Sequence, residues 1–222
     1  MNTSKYIITG NKDVDRQILL LLSPNDLRKT LLTPLKDIAD DEFWKLKLSQ
    51  DYPGLLELIT DEPLSEIYWS ASGLSIDLKD PTYDTYQRMV ETGYLPIFKY
   101  YHPMIQGIHP YVYVYSHTMS MMIKHAETYD RYVTFIEWLF DNRIVKYSVL
   151  CEGGILKCEK FIPFLIIKVY PSLDYSSRKD LLSRFKLFHF PYVPSLSNQK
   201  LLKYLDINKI NIVAVFELPI DG

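Results

Sequence analysis

Val14-Asp15-Arg16-Gln17-Ile18-Leu19-Leu20-Leu21-Leu22-Ser23-Pro24-Asn25-Asp26-Leu27 carries two helix signals back to back. Val14, Ile18, Leu19, Leu21 and Leu22 fall largely on one side at helical spacing, which predicts an amphipathic helix over residues 13–22. Asp13 or Asp15 can cap its start. Ser23 can accept from the free amides of the next turn, and Pro24 suits a first helical position that needs no amide hydrogen. A second helix is therefore expected from Pro24 to about Leu32.

Thr33-Pro34 repeats the start signal and opens a short third helix through Ile38. Asp40-Asp41-Glu42 then places negative charge where a helix N-terminus favours it. The fourth helix is expected over Glu42–Gln50, with Phe43, Trp44, Leu46 and Leu48 on its apolar side and Trp44 in the core. Asp51-Tyr52-Pro53-Gly54 ends it, because proline and glycine together favour a turn. Some forty residues in short helices bury too little surface to be stable alone, so the apolar run Ile18–Leu22 needs a cover from a neighbouring domain or a partner.

This run, followed by Asp41-Glu42-Phe43-Trp44-Lys45-Leu46-Lys47-Leu48 and Asp51-Tyr52-Pro53, resembles the F-box over about residues 13–53. Asp13-Val14 stands where the family usually opens with Leu-Pro, and Pro34-Leu35-Lys36 replaces its central aromatic-basic pair. The resemblance implies that the leucines grip a Skp-type adaptor of a cullin-RING ubiquitin ligase while the rest of the chain holds a target protein. It assigns Val14, Ile18, Leu19, Leu22, Pro24 and Leu27 to partner binding. The same arrangement recurs in large DNA viruses, often ahead of ankyrin-like repeats, which implies a host cytoplasm, a host nucleus or a virion as location.

Beyond Pro63 the pattern is one of short helices, expected over residues 63–70, 82–92, 96–101, 112–126, 131–140, 157–170, 176–187 and 197–205. Glu91-Thr92-Gly93-Tyr94-Leu95-Pro96-Ile97-Phe98-Lys99-Tyr100 resembles the turn and second helix of an ankyrin-type repeat, and Tyr132–Leu139 resembles that helix again. The spacing is irregular, alanine is scarce, and Pro96 and Pro163 are expected to interrupt two helices, so a degenerate array fits better than a regular repeat. Strands are expected only over Ile144–Cys151 and, at the C-terminal end, Asn211–Glu217.

The fold class is thus mainly α, with an F-box-like bundle of short helices followed by an irregular helical array. Residues 1–12 are expected to be a flexible lead-in, 13–56 the F-box-like module, and 57–222 the degenerate ankyrin-like array with a short C-terminal strand. Such arrays act through an exposed face, and the tyrosines Tyr100, Tyr111 and Tyr113 are its candidate contacts, since tyrosine is enriched at interfaces.

Composition sets limits on this reading. A net charge of -2 gives no field to gather nucleic acid or an anionic membrane. The longest apolar runs fall short of the roughly 20 residues of a membrane span. Two cysteines make no disulfide framework and no four-ligand zinc site.

Chemistry-bearing residues do not converge. His102, His109, His117 and His125 recur every seven or eight residues, without the i, i+4 spacing that puts two ligands on one helical turn. Cys151 and Cys158 with Glu152 and His189 suggest a thiol nucleophile at first sight, but buried inert thiols fit far better. Asp40-Asp41-Glu42 and Asp61-Glu62 read as helix-start residues, and Gly153-Gly154 lacks the Lys-Ser/Thr of a phosphate loop. No catalytic residue, metal site or cofactor is expected. The function expected is a protein-protein interaction module of the F-box adaptor type; the alternative is a structural or accessory viral protein in which these helices only pack.

Overall fold

The structure is a computed structural model that describes residues 8–31, 38–74, 76, 83–106, 114 and 116–189. It is mainly α-helical, and the chain divides into two compact units, residues 1–112 and 113–222. Residues 13–56 share the first unit with the helices that follow them as far as Gln106.

In the first unit α1 spans Lys12–Leu21, α2 Pro24–Leu31 and α3 Asp41–Asp51, and after a 3-10 turn at Leu56–Leu58 come α4 Leu64–Gly73, α5 Tyr83–Glu91 and α6 Leu95–Gln106. Side-chain chemistry sets the starts. Asn11, not Asp13 or Asp15, caps α1, its Oδ1 accepting from the amides of Asp13 at 2.9 Å and Val14 at 3.4 Å. Ser23 Oγ accepts from the Asp26 amide at 3.3 Å to open α2, and Asp40 Oδ1 accepts from the Phe43 amide at 3.0 Å to open α3. Asp40 also pairs with Arg16 and, at 3.8 Å, with Lys12, so one carboxylate joins α1 to the head of α3. The expected helix at Thr33–Ile38 lies outside the described residues except for buried Ile38.

Glu62 does not cap α4; its carboxylate closes the preceding turn by accepting from the amides of Thr60 and Asp61. Gly93 takes a left-handed φ of 71° in the turn between α5 and α6, a conformation glycine adopts without steric cost. Pro96 does not break α6. It lies in the first turn, where an amide hydrogen would find no helical acceptor, and the proline inside the helix is Pro103.

The core of this unit is aromatic. Trp44 packs against Phe43, Tyr68 and Trp69 at ring-centre distances of 5.0, 5.3 and 5.4 Å, which brings α3 and α4 together. The Arg28 guanidinium lies 5.0 Å over Trp69 and ties α2 to the same cluster.

The second unit comprises α7 Ser116–Ala126, α8 Asp130–Asp141, α9 Tyr147–Glu152, 3-10 turns at Ile155–Lys157 and Glu159–Phe161, α10 Ile162–Phe164, a π-helical turn Leu165–Val169, α11 Tyr170–Ser172 and α12 Tyr175–His189. α7 packs on both α8 and α9.

The strand expected at Ile144–Cys151 is not formed. The amides of Ile144 and Val145 both turn back to the Leu139 carbonyl, at 2.9 and 3.3 Å, and Arg143 adopts φ 59°. The β-branched pair therefore closes the end of α8 as buried side chains, and Tyr147 starts a helix. The strand expected at Asn211–Glu217 and the helix at residues 197–205 lie outside the described residues.

The single helix expected over Lys157–Tyr170 is instead a series of short turns. Pro163 sits in the first turn of α10, and Pro171 follows the π-helical turn. Pro171 has no amide to donate and its ring would meet the Ile167 carbonyl of a regular helix, which the wider π turn accommodates.

Gly153 explains how α9 approaches α7. A Cβ there would lie 3.0 Å from Met119 Cβ and 3.2 Å from the Ser120 backbone nitrogen, so any larger residue pushes the two elements apart. Gly153→Ala should lower the stability of this unit by about 1–3 kcal/mol, read from the shift of its urea unfolding midpoint, because the neighbours of the added Cβ include backbone that cannot yield. An unchanged midpoint would show that the contact is not tight.

Candidate functional site

α1 offers three unlike faces. Asp15, Leu19 and Leu20 are buried, whereas Val14 is 45% and Leu21 80% exposed. At about 100° per residue, Val14, Ile18 and Leu21 fall within an arc of roughly 60°, so the half-buried Ile18 continues an apolar stripe between two uncovered residues. Asp15 is anchored locally, accepting from the amide and hydroxyl of Thr9 at 2.8 and 2.7 Å.

The end of α1 is held from below by a charge. Lys47 on α3 is 2% exposed, and its Nζ donates to the carbonyls of Leu20 at 2.8 Å and Leu22 at 2.9 Å. The third donor meets Asp51, one turn further along α3, with Oδ2 at 2.9 Å. Asp51 Oδ2 in turn accepts from the Tyr68 hydroxyl of α4 at 2.8 Å. Each donor of the ammonium thus has an acceptor, the condition under which a buried charge is tolerated.

Tyrosines surround this network. Tyr52 packs edge-on against Tyr68 and Tyr100, with ring centres 5.9 and 6.5 Å apart, and Tyr100 against Tyr101 at 4.8 Å. Burial, with the Asp51 carboxylate and Tyr100 adding to it, pushes the Tyr52 hydroxyl up to about 12. Burial and the hydrogen bond to Asp51 raise Tyr68, and burial raises Tyr101. The Tyr94 hydroxyl donates to Glu66.

Of the residues assigned to partner binding, Val14 is exposed, Ile18, Leu22, Pro24 and Tyr100 are half-buried, and Leu19 and Leu27 are fully buried. Tyr111 and Tyr113 lie outside the described residues. Leu21 was expected on the apolar side of α1 with Val14 but was not assigned to partner binding, and it is 80% exposed; Leu46, expected on the apolar side of α3, is instead 43% exposed. Sequence reading passed over Lys47, whose partner Asp51 stands at the i, i+4 spacing of an ion pair.

The other candidates stay apart. His102 stacks on Phe98 and His125 on Tyr132, both with ring centres 5.2 Å apart, and burial lowers His102. His117 is exposed, and His109 and the His189 side chain lie outside the described residues. Burial raises the thiols of Cys151 and Cys158 above the ordinary cysteine value, which disfavours the nucleophilic thiolate. Among the described residues no cluster of three or more His, Cys, Asp or Glu could hold a metal ion, and no helix is long and apolar enough to cross a membrane.

Compared with family models, with curated proteins and with solved structures, the chain finds no match in any of the three.

The raised tyrosines make an alkaline prediction. A phenol whose folded-state value is raised contributes stability that is complete below its unfolded value of 10 and is lost as pH rises towards 12. Tyrosinate absorbance should show a group of phenols ionising well above pH 10, together with unfolding of the first unit. Ionisation of every tyrosine near pH 10 with the fold intact would contradict the burial described.

Proposed function

We propose that the chain is a protein-protein interaction module whose α1 face docks on a Skp-type adaptor, in the manner of an F-box substrate adaptor of a cullin-RING ubiquitin ligase. One observation carries the reading: Val14 and Leu21 stand uncovered on a helix whose opposite side is well buried. Leaving a leucine side chain in water forgoes about 1.5–3 kcal/mol relative to burying it, which a partner with an apolar groove would recover. The F-box resemblance of residues 13–53 supplies the identity of that partner, and the remainder of the chain is assigned to holding a target protein.

A second reading draws on Leu19 and Leu27, which the resemblance assigns to the partner but which the chain buries completely in itself. On that reading the F-box-like helices are packing elements of a structural or accessory viral protein.

Binding separates the two. Full-length protein should bind a purified Skp-type adaptor in calorimetry, and Val14→Asp with Leu21→Asp should weaken binding by at least about tenfold while the far-ultraviolet circular dichroism is unchanged, since both positions face solvent. Leu19→Asp is the wrong probe, because it puts a charge into the core and unfolds the unit. No binding by the wild type, with the fold intact, would favour the packing reading.

A further inference from the structure

The two carbonyls gripped by the buried ammonium belong to Leu20 and Leu22, the residues on either side of Leu21. Leu21 is thus both the most exposed apolar residue described on α1, at 80%, and the one whose flanking backbone is pinned from beneath. We propose that Lys47 is a positioning residue: its ammonium clamps the last turn of α1 so that Leu21 is presented as a preformed anchor. The inference rests on the docking reading for what the anchor meets, but the clamp itself is a property of the free chain.

Several features of the geometry point the same way. The last carbonyls of a helix lack intrahelical donors and carry its negative end, so a cation there is well placed both as hydrogen-bond donor and as counter-charge. No basic residue of α1 occupies its last turn, and Lys47 from α3 supplies that charge instead. The ammonium is oriented by Asp51, and Asp51 is oriented by Tyr68, so the clamp is referenced to α3 and α4. The Leu22 amide bonds back to the Leu19 carbonyl at 3.2 Å, which tightens the turn that carries Leu21.

An apolar core residue would fill this space at lower desolvation cost, since a buried ion pair is a poor source of stability compared with packed side chains. What the pair supplies is geometry. A rigid anchor loses less conformational freedom on docking than a mobile one, and affinity gains accordingly.

The test uses the full chain with Lys47→Met, which keeps the stem and removes the charge, Leu21→Ala, and the two combined. Hydrogen exchange at the Leu21 and Leu22 amides should quicken by at least about tenfold in Lys47→Met while α4 amides keep their protection. Affinity for a Skp-type adaptor should fall by at least about tenfold in Lys47→Met, and by no more than about twofold when the same change is made in the Leu21→Ala background, because Lys47 acts through Leu21.

Unchanged exchange at Leu21 and Leu22, or affinity losses that simply add, would overturn the proposal. Should Lys47→Met melt the whole unit by stranding Asp51, Lys47→Met with Asp51→Leu removes both charges, and a unit that still melts assigns the pair a structural role and overturns the proposal. If the wild type does not bind the adaptor, the docking reading falls, and the exchange measurement decides the positioning claim by itself.

Discussion

The Lys47 ammonium sits where water cannot reach it, and the first unit is arranged to satisfy it. Taking such a charge out of water costs several kcal/mol, so each of its donors must find an acceptor held in place beforehand. Two are the carbonyls of Leu20, in the last turn of α1, and Leu22, just past its end, and the third is Asp51, itself held by Tyr68. Around that chain of bonds stand Trp44, Trp69 and Tyr52, whose rings lock Tyr68 from other sides. The network therefore fixes where α1 ends relative to α3 and α4, while Asp40, bonded to Arg16 and capping α3, fixes where α1 lies at the head of that helix.

A helix held at its end by polar bonds and along one side by Leu19 and Leu20 has a third side left over. Val14, Ile18 and Leu21 occupy it, and their exposure is the cost that gives the docking reading its physical content. The second unit builds its own core by different means. Gly153 permits close approach of α9 to α7, and Arg178 donates to the Tyr170 and Pro171 carbonyls while its guanidinium lies 5.4 Å over the Tyr170 ring. Both units close helix ends with a cation brought from another element, Lys47 in one and Arg178 in the other.

Much of the helical outline was legible in the sequence, because the signals there are local. Ser23-Pro24 and Asp40-Asp41 name helix starts through groups a few atoms away, and α2 and α3 begin within a residue of where those signals place them. The signals failed where the deciding contact is distant or the residue has two uses. Ile144 and Val145 have strand-forming side chains, but a left-handed Arg143 turns them into the cap of α8. Pro96 and Pro163 read as breakers, whereas the first turn of a helix admits proline. Within Ile18–Leu22 all five residues look alike in composition, and it is the packing of the folded unit that buries Leu19 and Leu20 and leaves Leu21 exposed. Lys47 was the least legible of all, since a lysine between two leucines on an amphipathic helix reads as a surface residue until its acceptors are known.

Whether the Lys47 ammonium is buried and bonded to the end of α1 can be read from nitrogen-resolved magnetic resonance of the lysine side chains. One ammonium signal should exchange slowly with water and show through-hydrogen-bond coupling to the Leu20 and Leu22 carbonyl carbons. A Lys47 signal that exchanges as fast as those of exposed lysines, with no coupling to α1, would contradict it.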